Sequence, residues 1–147
     1  MSDMTVTREK YIRASADQVW QALTDPAVTV QYVFGGARVQ STWRPGDDII
    51  YLSPDGSTRL LEGMLLEVEP RRRLVLECRL LWDPELAADS PHRETFEIEE
   101  MGDICKLTAT FDRYAPGSLV YQQCGMAMTG SSLKSLLETG EALAFPG

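Results

Sequence analysis

Between residues 37 and 113 apolar and polar side chains alternate with a period of two, and this pattern constrains the fold more than any other feature. The alternating runs are rich in β-branched and aromatic residues, and Pro, Gly and Asp separate them, as in strands joined by hairpins. Strands joined by short turns pair antiparallel with their neighbours and need no crossover. The sequence therefore predicts a meander of six strands at 37–43, 48–52, 59–69, 73–82, 93–99 and 104–113.

A strand and two short helices are predicted before the meander. Residues 5–12 form the strand, and Ser15 is a good N-cap for a helix that ends at Asp25, because proline follows. A second short helix is expected over residues 27–34, where Gly35 and Gly36 interrupt it. The sheet is thus expected to have seven strands.

The segment after the meander, residues 118–143, is predicted to be one long helix that ends at Gly140. Gly125 and Gly130 each cost a helix about 1 kcal/mol relative to alanine, so close approach or vacant volume is expected there. No repeat or linker interrupts the sequence. Residues 1–147 are therefore predicted to form one α+β domain, in which a curved antiparallel sheet faces the C-terminal helix across a pocket.

Alternation assigns one face of the sheet to this pocket. In the strand at 73–82, Leu76, Cys78 and Trp82 share that face, and in the strand at 93–99 it carries Glu94 and Phe96. Glu94 is a carboxylate on a face that is otherwise apolar. The predicted pocket residues are Tyr32, Phe34, Trp43, Tyr51, Leu76, Cys78, Trp82, Glu94, Phe96, Met126, Gly130 and Leu133.

Glu94 and His92 are the candidates for proton transfer or for holding the polar end of a ligand. Two alternatives stay open: His92 lies at a loop end in water, or Glu94 lies at the rim of the sheet. A buried Glu94 needs a partner, and Arg113 in the next strand is one candidate. One histidine and dispersed cysteines suggest no metal site, and no cofactor motif is present.

Composition limits the class of partner. Cys78, Cys105 and Cys124 are odd in number and lie in apolar segments, so they read as small buried side chains in a reducing compartment. A formal net charge of −8 disfavours nucleic acid and anionic membranes as partners. No apolar run is long enough to span a membrane, and no secretory signal is apparent, so we expect a cytoplasmic protein.

Five motifs together resemble the helix-grip fold of the START-like (SRPBCC) superfamily. Within it the sequence is similar to the family named for the activator of the ninety-kilodalton heat-shock-protein ATPase, in its bacterial single-domain members. The motifs are SADQVWQALTD (15–25), YVFGG (32–36), WRPGD (43–47), EGMLLEVEPRRRL (62–74) and SSLKSLLETG (131–140). The resemblance implies a cavity between sheet and helix. Where such relatives commonly carry aromatic residues, this chain has Val33 and Met126, which changes the shape expected for that cavity.

Three functions are compatible with this resemblance. The first is binding of a small apolar or amphipathic molecule, without catalysis, and the second is a cyclase- or dehydratase-type enzyme that uses the same cavity. The third is a cochaperone-like interaction module with a chaperone partner, which predicts a collapsed cavity and an exposed apolar patch of several hundred Å². A homodimer is also expected.

Overall fold

Seven antiparallel strands form one sheet in the computed structural model, which describes residues 5–89, 91–118 and 127–143, without the side chains of residues 35, 127 and 128. The strands follow the predicted meander, with the first strand added beside the last, in the order β1-β7-β6-β5-β4-β3-β2. They are β1 (Val6–Ile12), β2 (Arg38–Ser41), β3 (Asp48–Leu52), β4 (Arg59–Glu69), β5 (Arg73–Leu80), β6 (His92–Met101) and β7 (Ile104–Asp112).

Two short helices follow β1, as predicted. The first, α1 (Ala16–Thr24), begins with a capping box, in which Ser15 accepts from the Gln18 backbone and the Gln18 side chain accepts from Ser15. The second, α2 (Pro26–Thr29), is shorter than predicted and is followed by a 3-10 turn at Val33–Gly35. A single helix cannot continue into this turn, because Phe34 has a φ of 48°.

A third short helix, α3 (Pro84–Ala87), was not predicted. Its N-cap is Asp83, whose carboxylate accepts from the Glu85 backbone N–H at 2.8 Å. Proline at the first helical position needs no hydrogen-bond acceptor there. The connection between β5 and β6 is therefore a capped helical turn rather than a simple hairpin.

The C-terminal helix, α4 (Ala127–Thr139), lies over the hollow face of the sheet. Leu133 is buried in one cluster with Ile12 of β1 and Leu107 of β7. The helix ends as predicted, because Gly140 has a φ of +86° and donates to the Leu136 carbonyl at 2.8 Å. It does not begin at Ser118, which follows a turn, and predicted helical residues 119–126 lie outside the described part of the chain.

The predicted apolar face is confirmed through β5. Leu74, Leu76, Cys78 and Leu80 are each at most 6% exposed. The alternation does not extend to Trp82, which lies beyond the last residue of the strand and is 46% exposed. Among the described helices, no segment is both long and apolar enough to cross a bilayer.

Candidate functional site

A cavity of about 70 Å³ lies between the concave face of the sheet and α4. The helix contributes Thr129, Gly130 and Leu133 to its wall. The gap between sheet and helix is therefore not completely filled by side chains. The other lining residues are Arg8, Lys10, Leu23, Tyr32, Val33, Phe34, Tyr51, Leu61, Glu94, Phe96, Leu107, Ala109 and Phe111.

The size of this cavity limits what it can hold without a change of shape. An apolar cavity of about 150 Å³ accommodates benzene, and one water needs about 10–15 Å³. A space of about 70 Å³ lies between these limits. A guest as large as benzene therefore requires part of the wall to move outward.

Most of the predicted pocket residues line this cavity, and some do not. The lining set contains Tyr32, Phe34, Tyr51, Glu94, Phe96, Gly130 and Leu133. Trp43, Leu76, Cys78 and Trp82 are not in the wall, and Met126 lies outside the described residues. That any of these residues contacts a ligand stays a prediction.

Strand ends explain why the two predicted tryptophans are not in the wall. Trp43 follows the end of β2 and has a φ of 59°, and it packs against the second apolar cluster of the core. Trp82 packs on Phe34 from the solvent side, with ring centroids 5.0 Å apart. Phe111 and Leu107 also line the cavity and were not predicted to do so, although alternation places both on the apolar side of β7.

Glu94 is the most deeply buried charged residue of the cavity wall. It is 4% exposed and lies in β6 between Leu76 of β5 and Phe111 of β7. The alternative that Glu94 lies at the rim is therefore wrong. Its partner is not Arg113, which is exposed beyond the end of β7. Instead its Oε2 lies 2.8 Å from His92 Nε2 and accepts from Cys78 Sγ at 3.3 Å.

His92 is buried, with 2% of its surface exposed. The expectation of a loop-end histidine in water is wrong, because β6 begins at His92 and pairs it with Cys78 across the ladder. Its ring stacks on Tyr114 at a centroid distance of 4.9 Å. Nε2 contacts Glu94, but Nδ1 is buried and has no hydrogen-bond partner among the described residues.

Cys78, His92 and Glu94 form a buried cluster in which one ligand atom from each lies within 4.8 Å of the others. One histidine and dispersed cysteines were expected to offer no cluster of metal ligands, and this expectation is wrong. Residues far apart in sequence become neighbours because β5 and β6 are adjacent strands. Along the described chain, Cys78 and Cys105 are buried and form no disulfide, as predicted, and Cys124 lies outside the description.

The cluster does not have the arrangement of a nucleophilic triad. Burial raises the pKa of Cys78, and the charge of Glu94 and its hydrogen bond raise it further, so the thiol stays protonated. Both Cys78 Sγ and Glu94 Oε2 approach the same histidine nitrogen, Nε2. A triad instead uses the two imidazole nitrogens for two different partners.

Besides Glu94, the wall carries polar groups of Arg8, Lys10 and Thr129 and the hydroxyls of two tyrosines. Tyr32 donates to the Ala22 carbonyl at 2.6 Å, so its hydroxyl already has an acceptor. Burial, followed by the charges of Tyr32 and Glu94, raises the pKa of Tyr51 well above its usual value. Tyr51 therefore keeps its proton and can donate a hydrogen bond at the cavity wall.

Residues 13–138 match the profile of the family described as Activator of Hsp90 ATPase homolog 1-like protein. The chain belongs to this family. The profile covers more than half of the sequence and confirms the resemblance seen in the five motifs. A search of curated protein sequences found no match.

Solved structures share the fold of this member of the Activator of Hsp90 ATPase homolog 1-like family. CalU16 from Micromonospora echinospora is 19% identical with a TM-score of 0.71, over 92% of this chain and 77% of that one. The Aha1 dimer from Colwellia psychrerythraea is 15% identical with a TM-score of 0.73, over 94% of this chain and 98% of that one.

DynU16, from the dynemicin biosynthetic locus, is 23% identical with a TM-score of 0.77, over 98% of this chain. This chain spans only 51% of that protein. At such identities the similarity shows the fold alone, which is the predicted α+β helix-grip architecture.

Proposed function

We propose that the chain binds a small, largely apolar molecule between the sheet and α4. The observation that carries the proposal is a carboxylate, Glu94, in the wall of an otherwise mainly apolar and aromatic cavity. Pockets that bind small molecules combine apolar walls with a few convergent polar groups that fix orientation. The family and its structural relatives support a ligand-binding fold of this kind.

The expected ligand has an apolar body and one polar end. Phe34, Phe96 and Phe111 supply apolar contacts for the body. Glu94 accepts hydrogen bonds when it is ionised, and Tyr51 can donate one, so a hydroxyl or an amine suits this end of the cavity. A ligand larger than the cavity enters by displacing the wall at Phe34, whose ring packs against Tyr51 and against the partly exposed Trp82.

A series of straight-chain alcohols and amines of increasing length, each with a matched alkyl chloride, tests the proposal. Binding to the folded state alone stabilises it by about 2.7 kcal/mol when the ligand is at 100 times its Kd. We expect melting temperatures to rise with alcohols and amines and to rise less with the chlorides. Intrinsic tryptophan fluorescence should change at the same time, because Trp82 covers the displaced wall.

Two variant pairs assign any binding to this cavity. Ala109→Leu adds three carbon atoms to its wall and should abolish the response, whereas Thr108→Val, on the opposite face of β7, should not. Glu94→Gln should remove the preference for alcohols and amines, whereas Glu99→Gln, exposed on the same strand, should keep it. The proposal fails if no member of the series binds, or if Ala109→Leu binds as well as the wild type.

A second function, proton transfer in a cyclase- or dehydratase-type reaction, is favoured by the contact between His92 and Glu94. The 2.8 Å contact joins an imidazole to a carboxylate that faces the cavity, which is an arrangement suited to general acid–base chemistry. For a substrate found by screening, Glu94→Gln should lower kcat by about 10²–10⁴-fold. Unchanged turnover in this variant would contradict the enzymatic function.

Chaperone binding and dimerisation are further proposals, supported by the family description and by the Aha1 dimer. No two of the large exposed apolar side chains of the described residues lie in the same strand or helix: Tyr11, Met64, Trp82, Met101 and Leu143. Light scattering of the purified protein tests for a homodimer. Retention of the protein on an immobilised ninety-kilodalton heat-shock chaperone tests for the chaperone partner. The outer-face variant Met64→Lys should be retained less than the wild type.

A further inference from the structure

Three side chains with three different donor atoms converge inside the sheet. Cys78, His92 and Glu94 are each at most 4% exposed, and their sulfur, nitrogen and oxygen atoms lie within 4.8 Å of one another. We propose that they form a binding site for a divalent transition metal ion, with zinc as the best match. Metal binding at this cluster does not require an apolar ligand, so it goes beyond the proposed function and is tested separately.

The distances between the donor atoms suit a tetrahedral zinc ion. Usual zinc bond lengths of 2.0–2.3 Å place neighbouring tetrahedral ligands about 3.3–3.6 Å apart. Cys78 Sγ lies 3.3 Å from Glu94 Oε2 and 3.7 Å from His92 Nε2. The histidine–glutamate contact of 2.8 Å must open by about 0.5 Å, which small side-chain rotations can provide.

Hydrogen bonds within this cluster leave one of its buried polar atoms without a partner among the described residues. Glu94 Oε2 accepts a hydrogen bond from Cys78 Sγ and lies 2.8 Å from His92 Nε2, while Nδ1 of the same ring has no partner among the described residues. A metal bound at Nε2 leaves the ring proton on Nδ1, so this buried nitrogen then needs a water as its outer-shell acceptor. A partly satisfied buried network is also costly, because the low dielectric that strengthens its bonds penalises the unpaired group.

The donor set selects the kind of metal. Thiolate and imidazole favour zinc over magnesium or calcium, which prefer oxygen ligands. A metal ion displaces the proton of a thiol that coordinates it, so the protonated state of Cys78 without metal does not prevent binding. Three protein ligands leave the fourth position of zinc for water or another small ligand.

The sheet holds the three ligands on rigid elements. Cys78 pairs directly with His92 on one side and with Gly63 of β4 on the other. A Cβ atom at residue 63 would lie 2.8 Å from both Cα and Cβ of Cys78, so glycine permits this close approach of the strands. Ligands on adjacent strands are better positioned than ligands on loops.

Cobalt(II) titration of tag-free, chelator-treated protein tests the site. We expect one equivalent to bind, with tetrahedral d–d bands in the visible and a sulfur-to-cobalt charge-transfer band in the near ultraviolet. Zinc should displace the cobalt. Cys78→Ser should remove the charge-transfer band, and His92→Gln and Glu94→Gln should each weaken binding by more than the roughly 10–100-fold that loss of an outer-shell partner costs.

The matched control is Cys105→Ser, since Cys105 is equally buried but has no place in the cluster. Its spectrum and affinity should equal those of the wild type. If Cys78→Ser does not fold, the cadmium-113 resonance of the wild type decides, because its chemical shift reports a sulfur ligand. Absence of stoichiometric binding, an unchanged cobalt spectrum in folded Cys78→Ser, or a cadmium shift typical of oxygen ligands alone would overturn the proposal.

Discussion

The same substitution, glycine to alanine, should have opposite effects at Gly63 and Gly130. A Cβ added at Gly63 would lie 2.1 Å from the Glu77 carbonyl oxygen, in the backbone of the neighbouring strand. A Cβ added at Gly130 would meet the nearest atoms, in the Lys10 side chain, at 3.5 Å, which is ordinary van der Waals contact. The available space therefore determines the sign of each effect.

The magnitudes follow from these distances. At Gly63 the strands must separate, which costs about 1–3 kcal/mol for overpacking and about 1 kcal/mol for a weakened ladder bond. Reduced freedom of the unfolded chain offsets about 0.4–1 kcal/mol of this cost. At Gly130 the alanine improves helix propensity by about 1 kcal/mol. We expect Gly63→Ala to destabilise the protein by about 2 kcal/mol and Gly130→Ala to stabilise it by about 1 kcal/mol.

Thermal and urea unfolding, followed by circular dichroism, measure both changes. A change of 1 kcal/mol moves the melting temperature of a domain of this size by about 2–4 °C. Gly63→Ala should therefore lower it by about 4–8 °C, and Gly130→Ala should raise it by about 2–4 °C. If Gly63→Ala is as stable as the wild type, or if Gly130→Ala is the less stable variant of the two, then the space around each glycine does not decide these effects.

Three further predictions concern the helix, the core and a thiol. The hydrogen bond from Lys134, then that from the Arg13 backbone, holds the pKa of Glu138 below its usual value. The contribution of ionised Glu138 to the stability of the fold is therefore present at neutral pH, and it is lost as the pH falls through the lowered pKa. The melting temperature of Glu138→Gln should lie below that of the wild type at pH 7 and match it at about pH 2. Leu133→Ala should lower the free energy of unfolding, measured in urea, by about 2–5 kcal/mol. It should also enlarge the cavity enough for benzene to raise the melting temperature of the variant. A decrease in the free energy of unfolding below about 1 kcal/mol would contradict the burial of Leu133. Burial raises the pKa of Cys105, so peptide mapping should show no alkylation by iodoacetamide at pH 8 until the protein unfolds.

Much of the architecture could be predicted because its causes are local. The period of two places alternate side chains of β5 and β7 on one face whatever the neighbouring strands are. Ser15 and Gly140 cap helices through contacts within a few residues of themselves. The predicted bounds of β3 and β4 match the structure, because turn residues flank both strands closely.

The cavity wall was predicted only in part, for a reason that is also physical. Glu94 and Phe96 were placed correctly, since alternation determines which face of β6 they occupy. Trp82 was not, because a strand that ends at Leu80 no longer dictates the direction of later side chains. Boundaries depend on which backbone groups find partners, and sequence pattern alone does not give those partners.

By itself the sequence determined an α+β chain with a curved antiparallel sheet, a capped C-terminal helix and one carboxylate on an apolar face. Only the tertiary structure decided which residues meet that carboxylate, because strand register sets distances between residues that are far apart in sequence. It paired Cys78 with His92 and so joined a cysteine and a histidine that no sequence motif connects in one buried cluster with Glu94. It also left about 70 Å³ beneath the helix, since the fit of side chains across that gap depends on all the elements that enclose it.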